Sequence, residues 1–331
     1  MKRFIPAAVG LIIFLYILWW VGTSRVLDVL RNISLSYFLG SAILMSVSYV
    51  IKFLRWVILV KGKHTTISVP KLFPVFAVNY GLSVSFPSKT GDLAGLEVSR
   101  RYAGIPIGDG ASFVVFYRIY DIVFVLVAAT VSSYSISGLI NIEWLEPTLV
   151  LCTIILILLF FLLLFPPTSE KMADFLSWLL NKIFRSRVAK FRQRIRTILD
   201  DYLKTIRFYS QKKVTLLTVA CLTGVRWLLE FAAFSLMLKS AEITVSFGFT
   251  ALILSLRLII TILTMVPFGL GTSLIPTIVI LDFLGASRAA VVVVDVLSNL
   301  IGPILIALIG MICAASLREH DPYDPSKITQ E

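Results

Sequence analysis

The stretch Tyr37–Val60 reads YFLGSAILMSVSYVIKFLRWVILV, with only Lys52 and Arg55 charged in its 24 residues. It exceeds the roughly 20 apolar residues that cross about 30 Å of hydrocarbon. Six further blocks approach or exceed that length: Phe4–Gly22, Ala111–Ser132, Thr148–Phe165, Val214–Leu238, Phe247–Val266 and Ala289–Ala315. Their apolar residues run in continuous blocks, not at amphipathic spacing. Over the 331 residues, 58% are hydrophobic and the mean hydropathy is +0.91. A globular chain of this size would need far more polar surface. The sequence therefore reads as an all-α polytopic membrane protein. The first block follows Met1-Lys2-Arg3 and ends in Trp19 and Trp20, with no small-residue cleavage site. It reads as an uncleaved helix and not a signal peptide.

Composition excludes several function classes. Cys152, Cys221 and Cys313 all lie inside apolar blocks with no C-x-x-C pair, and His64 and His320 lie far apart in polar sequence. Neither a disulfide framework nor a metal site is expected, and no cofactor is implied. The net charge of +12 reads as the positive-inside bias together with attraction to anionic lipid, and no nucleic acid partner is expected.

Loop charge sets a topology. The segment Glu170–Lys213 carries twelve basic residues against four acidic ones, whereas Ser133–Pro147 has Glu143 and Glu146 and neither Lys nor Arg. The first loop is expected inside and the second outside. Lys2, Arg3 and the Lys61/Lys63/Lys71 loop agree with a cytoplasmic N-terminus in a cell membrane. Within the basic segment, Val188, Phe191, Ile195, Ile198, Tyr202 and Ile206 recur at helical intervals. That spacing predicts an interfacial amphipathic helix; a soluble helical hairpin is the alternative for the segment's first half. The membrane domain is placed at 1–317, with approximate halves 37–132 and 214–315, the insert 170–213, and a polar tail 318–331.

Two apolar segments are broken alike. Phe73–Phe86 runs into Pro87-Ser-Lys-Thr-Gly91 and on to Gly104; Phe247–Val266 runs into Pro267-Phe-Gly269-Leu-Gly271 and on to Gly285. The offset is 180 residues at each Pro and at Gly91/Gly271, and 181 at Gly104/Gly285. Arg55-Trp56 and Arg226-Trp227 precede the breaks, offset by 171. Four matches in one order predict a duplication. Broken helices survive in lipid only where protein or a wet cavity satisfies the freed backbone. The expectation is six spanning helices, two re-entrant hairpins and an inverted repeat with its site at the breaks; eight simple spans are the alternative.

Charges inside apolar blocks cost about 2.5–3.5 kcal/mol each on insertion scales, so they seek partners or an aqueous cavity. Arg118 and Asp121 stand three apart, and Arg226 and Glu230 four apart, spacings that allow pairing along one helix. Arg257 has no acid within one turn and needs a partner from another helix or an anionic ligand. Asp295 is a further charge of this kind. Arg55 lies near a helix end, where it would snorkel together with Lys52. Lys89, Arg100 and Arg101, with Asp92 and Glu97, are placed at the cytoplasmic headgroup level.

Pro87-x-x-x-Gly91-Asp92, Arg101-Tyr102-x-Gly104 and Val114-Val-Phe-Tyr-Arg118-Ile-Tyr-Asp121 resemble the first signature of the lysylphosphatidylglycerol synthase transmembrane-region, or flippase-like, family. Pro267-Phe-Gly269-Leu-Gly271 followed by Gly285 resembles its second. The resemblance spans roughly Tyr37 to Ser316. Asp92 stands where the family usually has Glu, Gly95 and the neighbourhood of Asn299 where it has Arg, and Leu274 where it commonly has Glu. The resemblance implies a non-catalytic translocator or binder of an anionic or polyprenyl-phosphate lipid. The candidate lipid-binding residues are Arg118, Asp121, Asp92 and Arg101, which the resemblance marks, with Arg257, Arg226 and Glu230 from the intramembrane charges, and turns at Pro87, Gly91, Pro267, Gly269 and Gly271. Bifunctional members carry a soluble aminoacyl-transferase domain; the largest polar stretch here is the 44 residues Glu170–Lys213, so lysyl-lipid synthesis is not expected. One rival is a membrane enzyme acting on a lipid headgroup, against which no Ser/His, Cys/His or metal-ligand pattern is found. The other is a subunit that anchors a lipid-linked glycosyltransferase or another lipid-modifying enzyme. That enzyme, or a second copy of the chain, is the candidate protein partner.

With native cysteines removed, Lys190→Cys is expected to resist a membrane-impermeant maleimide added outside intact cells and to react after permeabilisation. Ready labelling from outside would invert the topology.

Overall fold

A computed structural model of the chain describes residues 22–85, 90–136, 189–264 and 271–319, together with residues 19, 147, 150, 151 and 154. The described residues form helices and turns with no strand. In chain order the helices are α1 (Thr23–Arg31), α2 (Leu35–Lys63), α3 (Val69–Ser85), α4 (Thr90–Ala103), α5 (Ile107–Ile136), α6 (Ala189–Gln211), α7 (Lys213–Ser240), α8 (Phe247–Thr264), α9 (Leu274–Phe283) and α10 (Arg288–Glu319). The blocks Phe4–Gly22 and Thr148–Phe165 lie almost entirely outside the described residues.

Helices α2, α5 and α7 are long and apolar enough to span a membrane. At 28–30 residues each they measure about 42–45 Å, beyond the roughly 30 Å of hydrocarbon. The 32 residues of α10 give about 48 Å. The chain is thus an all-α polytopic membrane protein. By contrast α4, at 14 residues, and α9, at 10, reach only about 21 and 15 Å, and neither crosses alone.

The two halves pack reciprocally. Helices α2 and α7, which carry the matched Arg-Trp pairs, lie side by side and antiparallel. Ser34 at the start of one meets Ser240 at the end of the other, Ser48 meets Glu230, and Arg55 meets Thr223. Around this pair the first arm of each broken segment packs on the last helix of the other half: α3 on α10, and α8 on α5. Helix α4 folds back along α3, so closely that a Cβ on Gly91 would run into the Leu82 carbonyl. Gly104 (φ 66°) and Gly285 (φ 77°) close α4 and α9 in the left-handed conformation that L side chains resist. The matched glycines therefore do the same local job in both halves.

Among the described residues two large apolar cores hold these helices, beside two smaller clusters. One joins α5, α7, α8, α9 and α10 around Phe234, Leu238, Ile253, Leu281 and Val291. The other joins α2, α3, α5 and α6 around Leu59, Val75, Phe113, Phe116 and Tyr209. In the second, the last turns of α6 bury Ile206 and Tyr209 against protein. The Tyr209 hydroxyl donates to the Leu59 carbonyl, and burial among rings pushes its pKa up. A polar clamp reinforces the dock. Buried Asp109 at the start of α5 accepts from Lys63 Nζ (2.6 Å), from Thr205 Oγ1 on α6 (2.6 Å) and pairs with His64 Nε2 (2.8 Å). The first half of the basic segment, 170–188, lies outside the described residues.

Gly108 marks where α5 and α6 touch. A Cβ there would strike the Ile198 carbonyl and come within 2.7 Å of Asp201 Cβ and 2.8 Å of Tyr202 N. Gly108→Val is expected to prise α6 away and speed tryptic cleavage after Lys204 and Arg207 in detergent. An unchanged cleavage rate would mean that α6 is held without this close approach.

Candidate functional site

A cavity of about 220 Å³ lies where α2, α3, α4, α5 and α7 converge. Its wall carries Lys52, Arg55, Arg118 and Arg226 together with Asp92, Asp121 and Glu230, among Trp56, Tyr80, Tyr117 and Trp227. The long helices supply the arginines from inside hydrocarbon-spanning sequence, and the α3–α4 hairpin supplies Asp92 and Ser83.

The ion pairs are mostly between helices. Arg118 Nη2 donates to Asp92 Oδ2 at 2.9 Å and to Ser83 Oγ at 3.1 Å. The expected pairing of Arg118 with Asp121 along α5 is therefore replaced. Asp92 comes from a different helix, and Asp121 turns to the crossing of α2 and α7. There Arg55 Nη1 reaches Asp121 Oδ1 at 2.7 Å and Thr223 Oγ1 at 2.7 Å, while Arg226 Nη2 lies 3.4 Å from the same carboxylate oxygen. The expectation that Arg55 snorkels is corrected too, since Arg55 is 3% exposed. Glu230 accepts from Lys52 at 2.8 Å, from Ser48 at 2.7 Å and, as its spacing predicts, from Arg226 at 3.3 Å. Lys52 also lies 4.3 Å from the Tyr49 ring centroid, and the Arg226 guanidinium lies 4.0 Å from that of Trp227. Such cation–π contacts hold a side chain in place while leaving its edge donors available.

Several donors in this wall stay unused. Arg55 Nε, Arg226 Nε and Nη2 and Trp227 Nε1 are buried without a hydrogen-bond partner. A buried unmet donor costs about 1–3 kcal/mol, more on a charged group, so the cavity is suited to an acceptor.

Arg257 is elsewhere. It pairs with Asp295 of α10 at 3.0 Å, and both are nearly sealed, at 5% and 2% exposed. Asp295 further accepts from Ser273 (3.0 Å) and Asn299 (2.9 Å). The α8 arginine thus found the partner from another helix that it required, in a cluster that does not line the cavity. Arg101 is exposed and also outside the cavity, 5.8 Å from the Tyr102 ring centroid, and Arg100 pairs with Glu97. The headgroup-level cluster of the sequence is split, with Asp92 turned inward. Gly271 takes a left-handed φ of 77°; Pro87, Lys89, Pro267 and Gly269 lie outside the described residues. Among the described residues no three of His, Cys, Asp and Glu gather as a metal site would need.

Sequence reasoning passed over Lys52, Arg55, Trp56 and Trp227 as site residues. The repeated Arg-Trp pair carried the signal: it marked the two helices that cross at the cavity.

Residues 7–310 match the family described as Lysylphosphatidylglycerol synthase TM region. The chain is also similar to the UPF0104 membrane protein PH1989 of Pyrococcus horikoshii, at 20% identity over 329 residues, covering 96% of this chain and 98% of that protein.

Breaking a buried ion pair by removing one partner costs about 3–5 kcal/mol, because the other charge is stranded. Arg257→Ala and Asp295→Ala are each expected to lower the melting temperature in detergent, and the double variant to recover much of the loss. Additive losses in the double variant would show that each residue has a stronger partner elsewhere.

Proposed function

The chain belongs to the lysylphosphatidylglycerol synthase transmembrane-region family, and from that premise we propose that it binds an anionic lipid headgroup in the Arg55–Arg118–Arg226 cavity and carries it between leaflets. The observation that supports this reading is the set of unmet buried donors on Arg55, Arg226 and Trp227 in the wall of an intramembrane cavity. Phosphate and carboxylate oxygens are the acceptors a guanidinium fork fits best. The work done on the lipid is binding and passage, with no covalent step.

In this reading the α3–α4 and α8–α9 segments are re-entrant hairpins. Helices α4 and α9 are too short to cross, and the antiparallel run of the matched helices α2 and α7 is what an inverted duplication produces. The protein sits in the cell membrane with both termini and α6 on the cytoplasmic side. A second reading draws on α6, which is firmly docked yet exposes Arg196 and Lys204. It would anchor a lipid-modifying enzyme there. Replacing Arg196 and Lys204 by Glu separates the two, since a partner platform loses its partner and a translocator keeps its lipid.

Arg118→Ala is expected to weaken anionic-lipid binding about tenfold or more, as loss of a charge-assisted hydrogen bond would, with Arg118→Lys recovering it only in part. Lipid retained through purification, quantified by mass spectrometry, and transport in vesicles check this. If the Arg118→Ala/Asp92→Ala double variant is stable and handles anionic lipid normally, the pair is packing and the proposal fails.

A further inference from the structure

Among the described residues of the cavity wall the charges do not balance: four cations, Lys52, Arg55, Arg118 and Arg226, face three carboxylates, Asp92, Asp121 and Glu230. The shortest contacts assign three closed pairs: Lys52–Glu230 at 2.8 Å, Arg55–Asp121 at 2.7 Å and Arg118–Asp92 at 2.9 Å. Arg226 is left with second places, 3.3 Å from Glu230 and 3.4 Å from Asp121. It is 4% exposed, its Nε and Nη2 lack hydrogen-bond partners, and its plane is fixed over Trp227, whose Nε1 is also unmet. Among the described residues of the wall, Arg226 is thus the cation that shares both of its carboxylates with closer partners.

Resting on the anionic-headgroup reading above, we propose that Arg226 is the seat of the ligand and that the cavity selects a headgroup of one net negative charge, a phosphodiester without a compensating ammonium. A single negative charge neutralises the wall. A zwitterionic headgroup brings no net charge and leaves the excess positive charge in a low-dielectric site, and a phosphomonoester dianion overshoots to net negative. Either imbalance is penalised where water is scarce. Two oxygens of a phosphodiester match the Nε/Nη2 edge of a guanidinium in a bidentate contact, and the Trp227 and Arg55 donors lie in the same wall. Arg118, tied to Asp92 and Ser83 through Nη2, is a second contact for the ligand and, being paired, does not supply the excess charge.

The test uses the full-length protein in an uncharged detergent, titrated with short-chain phosphatidylglycerol, phosphatidylcholine and phosphatidic acid. At about pH 8 the phosphomonoester of phosphatidic acid carries close to two charges, and at about pH 5 close to one. Phosphatidylglycerol is expected to bind about tenfold or more tighter than phosphatidylcholine, and tighter than phosphatidic acid at the higher pH. The gap to phosphatidic acid should close at the lower pH. Arg226→Gln should erase the preference for phosphatidylglycerol over phosphatidylcholine; if that variant does not fold, the pH comparison on the native protein decides. Equal binding of phosphatidylglycerol and dianionic phosphatidic acid would overturn the single-charge rule and leave the anionic-lipid reading standing. Failure of every anionic lipid to bind would overturn both. Glycerophosphoglycerol, the same headgroup without chains, is expected to bind much more weakly than the lipid; equal affinity would identify a soluble phosphodiester as the ligand and overturn the lipid source.

Discussion

The Asp121 carboxylate lies against one guanidinium from each half of the molecule, accepting from Arg55 of α2 at 2.7 Å and standing 3.4 Å from Arg226 of α7. These two arginines stand at matched places in the repeat and enter from helices that run in opposite directions. Neither is tolerable in hydrocarbon without a counter-charge, and one carboxylate serves both. The crossing of α2 and α7, the position of α5 and the cavity beside them all follow from that shared anion. Arg226 has a second carboxylate in Glu230 at 3.3 Å, but Lys52 holds that one at 2.8 Å, so among the described residues of the wall four cations share three acids.

Much of this was legible from patterning. Block length alone establishes the polytopic helical class, and the P-x-x-x-G spacing locates both breaks. The Gly104/Gly285 match proves to be one backbone conformation used twice. Amphipathic spacing around Ile198, Tyr202 and Ile206 locates α6. The partner of each intramembrane charge was not legible. Helical spacing reports which residues share a face, and by that rule Arg118 and Asp121 should meet. Which neighbour takes a guanidinium depends on the helices that flank it: α4 presents Asp92 at 2.9 Å, while Asp121 is taken by Arg55. Arg226 and Glu230 do pair along one helix, although Lys52 and Ser48 of α2 reach the same carboxylate more closely. Arg55 departs for a related reason from the snorkelling that nearness to a helix end suggests: Asp121 of α5 and Thr223 of α7 hold its guanidinium inside.

The same gap between face and partner separates Arg257 from the cavity. Sequence marks it as a cation in want of an acid and is silent on whether the acid belongs to the protein or to a ligand. Asp295 answers from α10, backed by Ser273 and Asn299. The hydroxyl and amide donors spread the carboxylate's charge, so the cluster is satisfied internally and closes.

The two halves therefore use one device with its polarity reversed. In the first, the acid sits on the hairpin (Asp92) and the arginine on the last helix (Arg118). In the second, the arginine sits on the hairpin (Arg257) and the acid on the last helix (Asp295). Each pair ties a broken segment to the long helix that follows it. Their surroundings differ: the Arg118 and Asp92 side chains are 31% and 13% exposed at a cavity wall, whereas those of Arg257 and Asp295 are 5% and 3% exposed in a packed interior. Coulomb attraction is screened where water enters and strong where it does not, so the pair at the cavity wall is the more screened of the two.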